Sequence, residues 1–448
     1  MTSNHINVCV MPHAGGWHKA SWRRPDTTGN DIWDPDLWRG IAQTAERGKL
    51  DAVFMADNQS VWPMSNELRH LTAKVGVWDA LIAVTMMASA TEHIGLIATA
   101  HTQFHQPYIL ARQLACIDHL SRGRVGWNVV TSGSAFDAAN FSDAAQVSTE
   151  LRYDRATEFV ELVKKLWDSW EEDAYLIDKE AGVFYDTSKM HPTNHHGKYY
   201  DVAGPLNIMR PPQGYPVIAQ AGSSGPGREL AASVGEVIFT PLTGAAGRAY
   251  TEELRGLAAS KGRASTDMRV LSQITPVIGR TDQEAQEKWD WLASHLDPRL
   301  ALDDMEGMLG VDLKGYPLDE PLPELGDNRL TAGYRQAVLS LSVDGRQPTL
   351  RELIARFNVP GTVVGSAETI ADYMENEVDS GVCDGFILCL QGTPEELEDF
   401  VDLVVPELQR RGRFRTEYKH TTLRETLGFE RPANQFSTTM DHVPSEAM

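Results

Sequence analysis

The clearest chemistry-bearing stretch runs from Pro216 to Ala232. An apolar run, Pro216–Gln220, breaks into Ala221, Gly222, Ser223, Ser224 and Gly225, and a helix is predicted from Pro226 to Val234. Glycines let a main chain approach a ligand closely. Serine hydroxyls and open N–H groups at a helix start suit a phosphate. The same residues also make an ordinary turn with Ser224 as the helix cap, and the segment alone leaves both roles open. Its spacing is not that of GxGxxG, a P-loop or GxSxG. A second stretch, Gly123 to Ser132, reads as a strand over Val125–Val130 that ends in Thr131 and Ser132. Alternation puts Asn128, Val130 and Ser132 on one face. A buried Asn must find partners, so Asn128 is either part of a structural network or a ligand contact. Asp57 stands just past the run Phe54, Met55, Ala56, as a turn cap or as a site residue at a strand end. Arg152 and Tyr153 open a helix, where both can meet an anion or Tyr153 can simply pack.

Several histidines fall in expected loops: His101 and His105, then His191, His195 and His196. Three His side chains can hold a zinc ion. However, there is no HExxH pair and no Cys/His ligand spacing, so no metal is expected. His13 follows the first strand and is placed by position alone as an active-site candidate.

The elements that must position these residues alternate. Strands are predicted at Ile6–Val10, Leu50–Ala56, Ile94–Ala98, Val125–Val130, Pro216–Gln220, Glu236–Phe239, Val270–Ile278 and Gly385–Leu390, with helices between them. Asp34 and Pro35 start the first helix and Gly48 closes it. Thr393, Pro394 and Glu396 read as a capping box for the last helix, and Pro406 should kink it. Alternating strands and helices imply a parallel sheet covered by helices, and eight strands is the number that closes a (β/α)8 barrel. A doubly wound open sheet is the alternative. The expected fold is α/β, one TIM-like (β/α)8 barrel over residues 1–430, with insertions near 133–149, 173–215 and 296–362 and a tail from 431 to 448. Loops this long tend to be lids or binding loops. The polar stretch after Gly412 is expected to wrap a neighbouring subunit or to fray.

Composition narrows the role. Lys and Arg number 41 against 62 Asp and Glu, and the net charge of −21 repels nucleic acid and anionic membrane surfaces. Cys9, Cys116, Cys383 and Cys389 form no CxxC pair, which fits a reducing cytoplasm. Neither a secretory signal nor a membrane-spanning stretch is visible: Val77–Ala90 is too short and holds Asp79.

Further segments complete a pattern: the eight residues from Thr44 to Asp51, Phe54 to Asp57, Thr91 to Leu96, Pro107 to Arg112, Asp118 to Ser132, Arg152 to Ala156, Lys165 to Trp170, Gly204 to Asn207, Gln220 to Ser224 and Val405 to Gly412. In this order they resemble the flavin-dependent monooxygenases of the bacterial-luciferase-like superfamily, nearest the group of nitrilotriacetate monooxygenase component A, dibenzothiophene-sulfone monooxygenase and long-chain alkane monooxygenase. The resemblance implies a two-component enzyme. FMN enters as FMNH2 from a separate NAD(P)H:flavin reductase, O2 is the co-substrate, and one oxygen atom reaches a small organic substrate through a flavin C4a-hydroperoxide. It also implies a homodimer or homotetramer. Asp57, Asn128, Thr131 and Ser132 are then expected near the flavin ring and ribityl chain, and Tyr153 with Ala221, Gly222, Ser223 and Ser224 at the phosphate. His13 and His101 are expected to hydrogen-bond the peroxide or the substrate. Relatives that carry a His after the Thr-Ser pair differ from this chain, which has Gly133 there.

Such chemistry needs a dry site. Trp17, Trp22, Phe104 and Trp127 are the expected walls, and Leu296–Thr362 the expected lid. Barrels usually hold phosphate after their seventh and eighth strands, whereas the Gly-Ser turn follows the fifth. A deazaflavin-dependent hydride transferase on a related barrel is the alternative; a flavin-storage protein and a metal hydrolase are more distant ones. The acidic charge argues against a polyanionic chelator as substrate, and the aromatic entrance from Gly15 to Trp22 argues for an apolar or organosulfur compound.

Overall fold

The apolar runs are the staves of a closed parallel barrel. In the computed structural model they are β1 (Asn7–Val10), β2 (Ala52–Met55), β3 (Gly95–His101), β4 (Val125–Val130), β5 (Val217–Gln220), β6 (Val237–Thr240), β7 (Arg269–Ile278) and β8 (Gly385–Leu388). Each strand pairs in parallel with its neighbour in chain order, and β8 returns to β1 with Asn7 opposite Gly385. The structure describes residues 5–13, 15–27, 31–62, 64–141, 147–309, 311–323, 338, 346–357 and 361–437.

Both faces of every stave are covered, so the runs are apolar throughout. Alternate positions of each stave point inward: Cys9, Phe54, Ile97, Ala219, Val237, Leu271 and Ile387 fill the barrel. Their neighbours, such as Val10, Val53, Leu96 and Trp127, face the helices. Those helices are α1 (Pro35–Arg47), α2 (Ala80–Ala88), α3 (Pro107–Ser121), α4 (Thr149–Trp167), α5 (Gly225–Val234), α6 (Gly244–Ser260) and α7 (Asp282–His295). After them come α8 (Pro298–Leu309), α9 (Leu350–Phe357), α10 (Ala367–Asp379), α11 (Glu395–Asp399) and α12 (Val405–Arg410). Side chains of Asp34, Asp79, Ser148, Ser224, Thr281 and Ser366 cap six of the starts.

Four expectations change. The residues after Gly412 do not lead away: Leu423, Leu427 and Phe429 insert into the barrel's N-terminal mouth, because inward Gly95 and Gly126 leave room there. Asn434 then ties residues 431–437 to the Asp168 and Trp170 carbonyls, while 438–448 lie outside the described residues. The strand Thr362–Gly365 extends β7 beyond the barrel ring, pairing with Thr275–Ile278. The capping box is not formed: among the described residues Thr393 Oγ1 has no partner, and Glu396 reaches back to the Gly392 N–H instead. Pro406 does not kink one continuous helix. It starts α12, and a π-turn over Phe400–Val404 joins α12 to α11, which spares the N–H that proline lacks.

The insertion at 173–215 holds two small hairpins, and that at 296–362 holds α8 and α9 around Met305, Leu309 and Leu353. Residues 310, 324–337, 339–345 and 358–360 of the expected lid, and 142–146 of the first insertion, lie outside the described residues. Among the described residues no helix is long and apolar enough to cross a membrane.

Candidate active site

A parallel barrel brings the C-terminal ends of all its strands to one face. Asp57 follows β2, His101 ends β3, Asn128 lies in β4 with Thr131 and Ser132 just past it, and Ala221–Ser224 follow β5. These strands are consecutive, so the expected residues share one arc of the rim. His13, past β1, continues the arc on the other side of Asp57.

The arc is linked by hydrogen bonds. Ser132 has φ 42°, which ends the strand geometry, and its hydroxyl meets His101 Nδ1. His101 is 2% exposed, and among the described residues its Nε2 lacks a hydrogen bond of good geometry. Burial, with His105 adding repulsion, pushes the imidazole down to about 4, so the ring is neutral at neutral pH. Asn128 points into the barrel beside Thr99, whose Oγ1 accepts from Nδ2 at 2.9 Å, while Asn128 Oδ1 is buried and unpartnered among the described residues. Asp57 accepts weakly from Ala80 N at 3.4 Å and Gln59 Nε2 at 3.3 Å. Burial pushes its carboxyl up to about 7, against the Ala80 N–H and with repulsion from Asp79 and Asp137. It therefore stands near half protonation at neutral pH and can both give and take a hydrogen bond.

At the β5 end, the serine turn caps the helix that follows it, and Tyr153 lies against the same turn. Ser224 Oγ accepts from Gly227 N at 3.2 Å as the cap of α5, and Gly222 N donates to Gln220 Oε1 at 2.7 Å. A Cβ on Gly222 would stand 2.8 Å from the Tyr153 hydroxyl, and one on Gly227 2.9 Å from it. Turn, helix start and phenol thus touch, and glycine is what permits the approach. Arg152, next to Tyr153 near the start of α4, has a buried Nε without a partner among the described residues. A helix N-terminus, a serine turn and a phenol form a cradle for a phosphate, and the orphaned atoms of His101 and Asn128 await a polar-edged ring. These residues fit a flavin mononucleotide. The turn does follow the fifth strand, so the strand count read from sequence was in register.

The expected walls divide. Trp17 packs on the upper barrel interior and donates to the Met11 carbonyl at 2.7 Å, with His13 5.6 Å away, ring centre to ring centre. Phe104 lies beside His101 and stacks on Phe141 at 4.0 Å. Trp22 donates to the Leu71 carbonyl. Trp127 lines nothing: alternation turns it away from Asn128, toward Phe159 and the helices. The histidines 191, 195 and 196 pair separately, with Glu171, Glu158 and Asp201. Among the described residues no group of three His, Cys, Asp or Glu could hold a metal ion.

One cluster at the mouth was missed. Lys19 forms a buried pair with Asp304 at 2.5 Å, Trp62 donates to the same carboxylate, and buried Lys74 lies against Trp17 and Trp62. His18 beside them is pushed down to about 3 by burial, with Lys19 and Lys74 adding repulsion. Lysines in polar segments read as solvated, and Asp304 is 285 residues from Lys19; only the flanking tryptophans hinted at cover.

Comparison with known proteins identifies the family. The luciferase-like monooxygenase family model matches residues 18–384. The chain is 44% identical to N-acetyl-S-(2-succino)cysteine monooxygenase of Bacillus subtilis (strain 168), over 98% of this chain and 100% of that one. It is 39% identical to nitrilotriacetate monooxygenase component A of Aminobacter aminovorans, over 96% and 98%. The solved structure of riboflavin lyase (RcaE), with modified FMN and riboflavin, superposes with a TM-score of 0.83 at 32% identity, covering 96% of this chain and 97% of that one. The barrel, its rim and these matches make the chain a member of the luciferase-like monooxygenase family.

Proposed function

We propose that this chain is the oxygenating component of a two-component system that uses reduced FMN and O2 to oxygenate a small organic substrate. A separate NAD(P)H:flavin reductase supplies the FMNH2. The observation that carries the reading is the contact of Tyr153 with Gly222 and Gly227 on the same rim as the His101–Ser132 pair. Two names support it: the Aminobacter relative is a component A, and the riboflavin lyase structure contains modified FMN. The names of the Bacillus and Aminobacter relatives point to substrates that are carboxylic acids.

Reduced FMN, when bound, supplies the activation of dioxygen. The chain does the rest. Tyr153, Gly222, Ser223 and Ser224, at the start of α5, hold the phosphate; Ala221, exposed at the β5 end, contributes main chain. Asn128 Oδ1 accepts from the ring or ribityl chain, and Thr131 and Ser132 border it. With Ser132 donating to Nδ1, His101 carries its proton on Nε2 and donates into the mouth. Asp57 exchanges a proton near neutral pH. Phe104, Phe141 and Trp17 keep water out.

The test is a calorimetric titration with FMN in both redox states, followed by product analysis with reductase, NADH and FMN. Binding that weakens about tenfold or more in Tyr153→Phe, a lost hydrogen bond to a charged group, is expected, with product that requires both O2 and the reductase. Binding in neither redox state overturns the reading. Product formed without O2 replaces it with hydride transfer.

A further inference from the structure

The mouth holds a charge that the flavin site does not use. Lys74 is 6% exposed, yet among the described residues its ammonium makes no hydrogen bond and no ion pair. Its close company is aromatic: Nζ stands 5.0 Å from the centre of the Trp17 ring and 5.3 Å from that of Trp62. The nearby carboxylate is engaged, since Asp304 accepts Lys19 Nζ at 2.5 Å and Trp62 Nε1 at 3.2 Å. Two buried ammonium groups therefore share one buried carboxylate. A buried cation without a counter-charge is costly to the fold. Burial, then Lys19, pushes Lys74 down to about 8, which leaves it charged at neutral pH.

Its position is across the mouth from the phosphate cradle. The turn before Lys74 lies on the turn after β1, where a Cβ on Gly15 would be 2.5 Å from the Ala73 Cβ. Gly16, with φ 81°, sits directly on the Gln391 carbonyl beyond β8. The charge of Lys74 reaches Cys389, just past β8, where it opposes the effect of burial on the thiol. In the ring of strands β1 lies opposite β5. The mouth thus has an anion cradle on one side and a full buried positive charge on the other.

We propose that Lys74 binds a carboxylate of the substrate, which makes the substrates of this enzyme small organic acids. Trp17 and Trp62 then flank the bound acid, and its oxidisable part extends from Lys74 toward His101. The net charge of −21 suggests the reverse, but a pocket's local charge can oppose the global one. The assignment of a reacting atom rests on the flavin reading; the anion contact does not.

The experiment is calorimetry with N-acetyl-S-(2-succino)cysteine and nitrilotriacetate, each beside its methyl ester, with FMN titrated in parallel. At least one acid binds more tightly than its ester by about tenfold or more, as a buried charge contact requires. Lys74→Met abolishes that preference and raises KM more than it lowers kcat, while Lys74→Arg keeps most of it. FMN affinity is the same in all three proteins, and the melting temperature of Lys74→Met is no lower than that of the parent. Affinity for the acid falls as pH rises through about 8, the range in which Lys74, faced by Lys19, His18, Asp304 and Cys389, loses its proton. Acids that bind no better than their esters, or a preference that survives in Lys74→Met, overturn the proposal. Loss of FMN binding in the parent protein removes the flavin reading instead and leaves the acid preference standing.

Discussion

Gly222 carries no side chain because the Tyr153 hydroxyl and the Gln220 amide occupy the space one would need, at 2.8 and 2.5 Å. Its φ is not in the left-handed region, so Gly222→Ala is a test of space alone. FMN affinity is expected to fall about tenfold or more, a loss of 1.4 kcal/mol or above, while the melting temperature changes little; unchanged affinity in a titration would place the phosphate elsewhere. Asp57 allows a test by pH. Folded Asp57 keeps its proton up to about 7, against 3.8 for the free group. The folded state thus holds the extra proton between these values, and this group's contribution is fully present below 3.8 and lost as pH rises through about 7. Relative to Asp57→Asn, the parent should lose on the order of 1–2 kcal/mol between about pH 4 and pH 8, after discounting for partial exposure. Melts that stay parallel across that range would contradict the assignment. Much of this arc was legible because strand ends and serine turns are local features. Lys74, Lys19 and Asp304 were not, because their meaning depends on burial created by residues hundreds of positions apart.

At the scale of elements, the strands were legible as apolar runs because each is covered on both faces. The extension at Thr362–Gly365 was not, since it pairs only with the outer end of β7 and is half-buried. Trp127 shows the same limit: alternation in β4 was read for Asn128 but not carried over to its neighbour. The C-terminal insertion was misjudged because its polar composition hides three apolar anchors. Leu423 is fully buried and its Cδ1 lies 2.4 Å from where a Cβ on Gly95 would stand. Leu423→Ala should cost about 2–5 kcal/mol, the range for emptying a packed leucine site, read as a shifted urea midpoint. FMN affinity should not change, because that anchor sits at the opposite mouth; a coupled loss of both would show that the two ends communicate.

For the molecule as a whole, the fold was legible from alternation and strand count, and its chain-order parallel pairing needs only one βαβ crossover per step. The net charge of −21 also has a kinetic meaning. A carboxylate approaching this surface is repelled until it reaches the buried cation at the mouth. Raising ionic strength from about 20 to about 200 mM shortens the reach of that repulsion, so kcat/KM for an acid substrate should rise, while that for its neutral ester stays flat. A fall with salt would mean that the mouth's own field dominates the approach.

The anchors at the barrel's N-terminal mouth also bear on synthesis. Phe429 and its two leucine companions complete an interior whose first layer comes from β1, more than four hundred residues earlier. A ribosome must therefore release everything from β1 to Phe429 before that interior can be sealed, and the nascent barrel waits with an open lower end. Vectorial emergence orders the staves one after another, the closing anchors come last of the barrel's parts, and chaperones that shield unfinished apolar surface have their longest opportunity here.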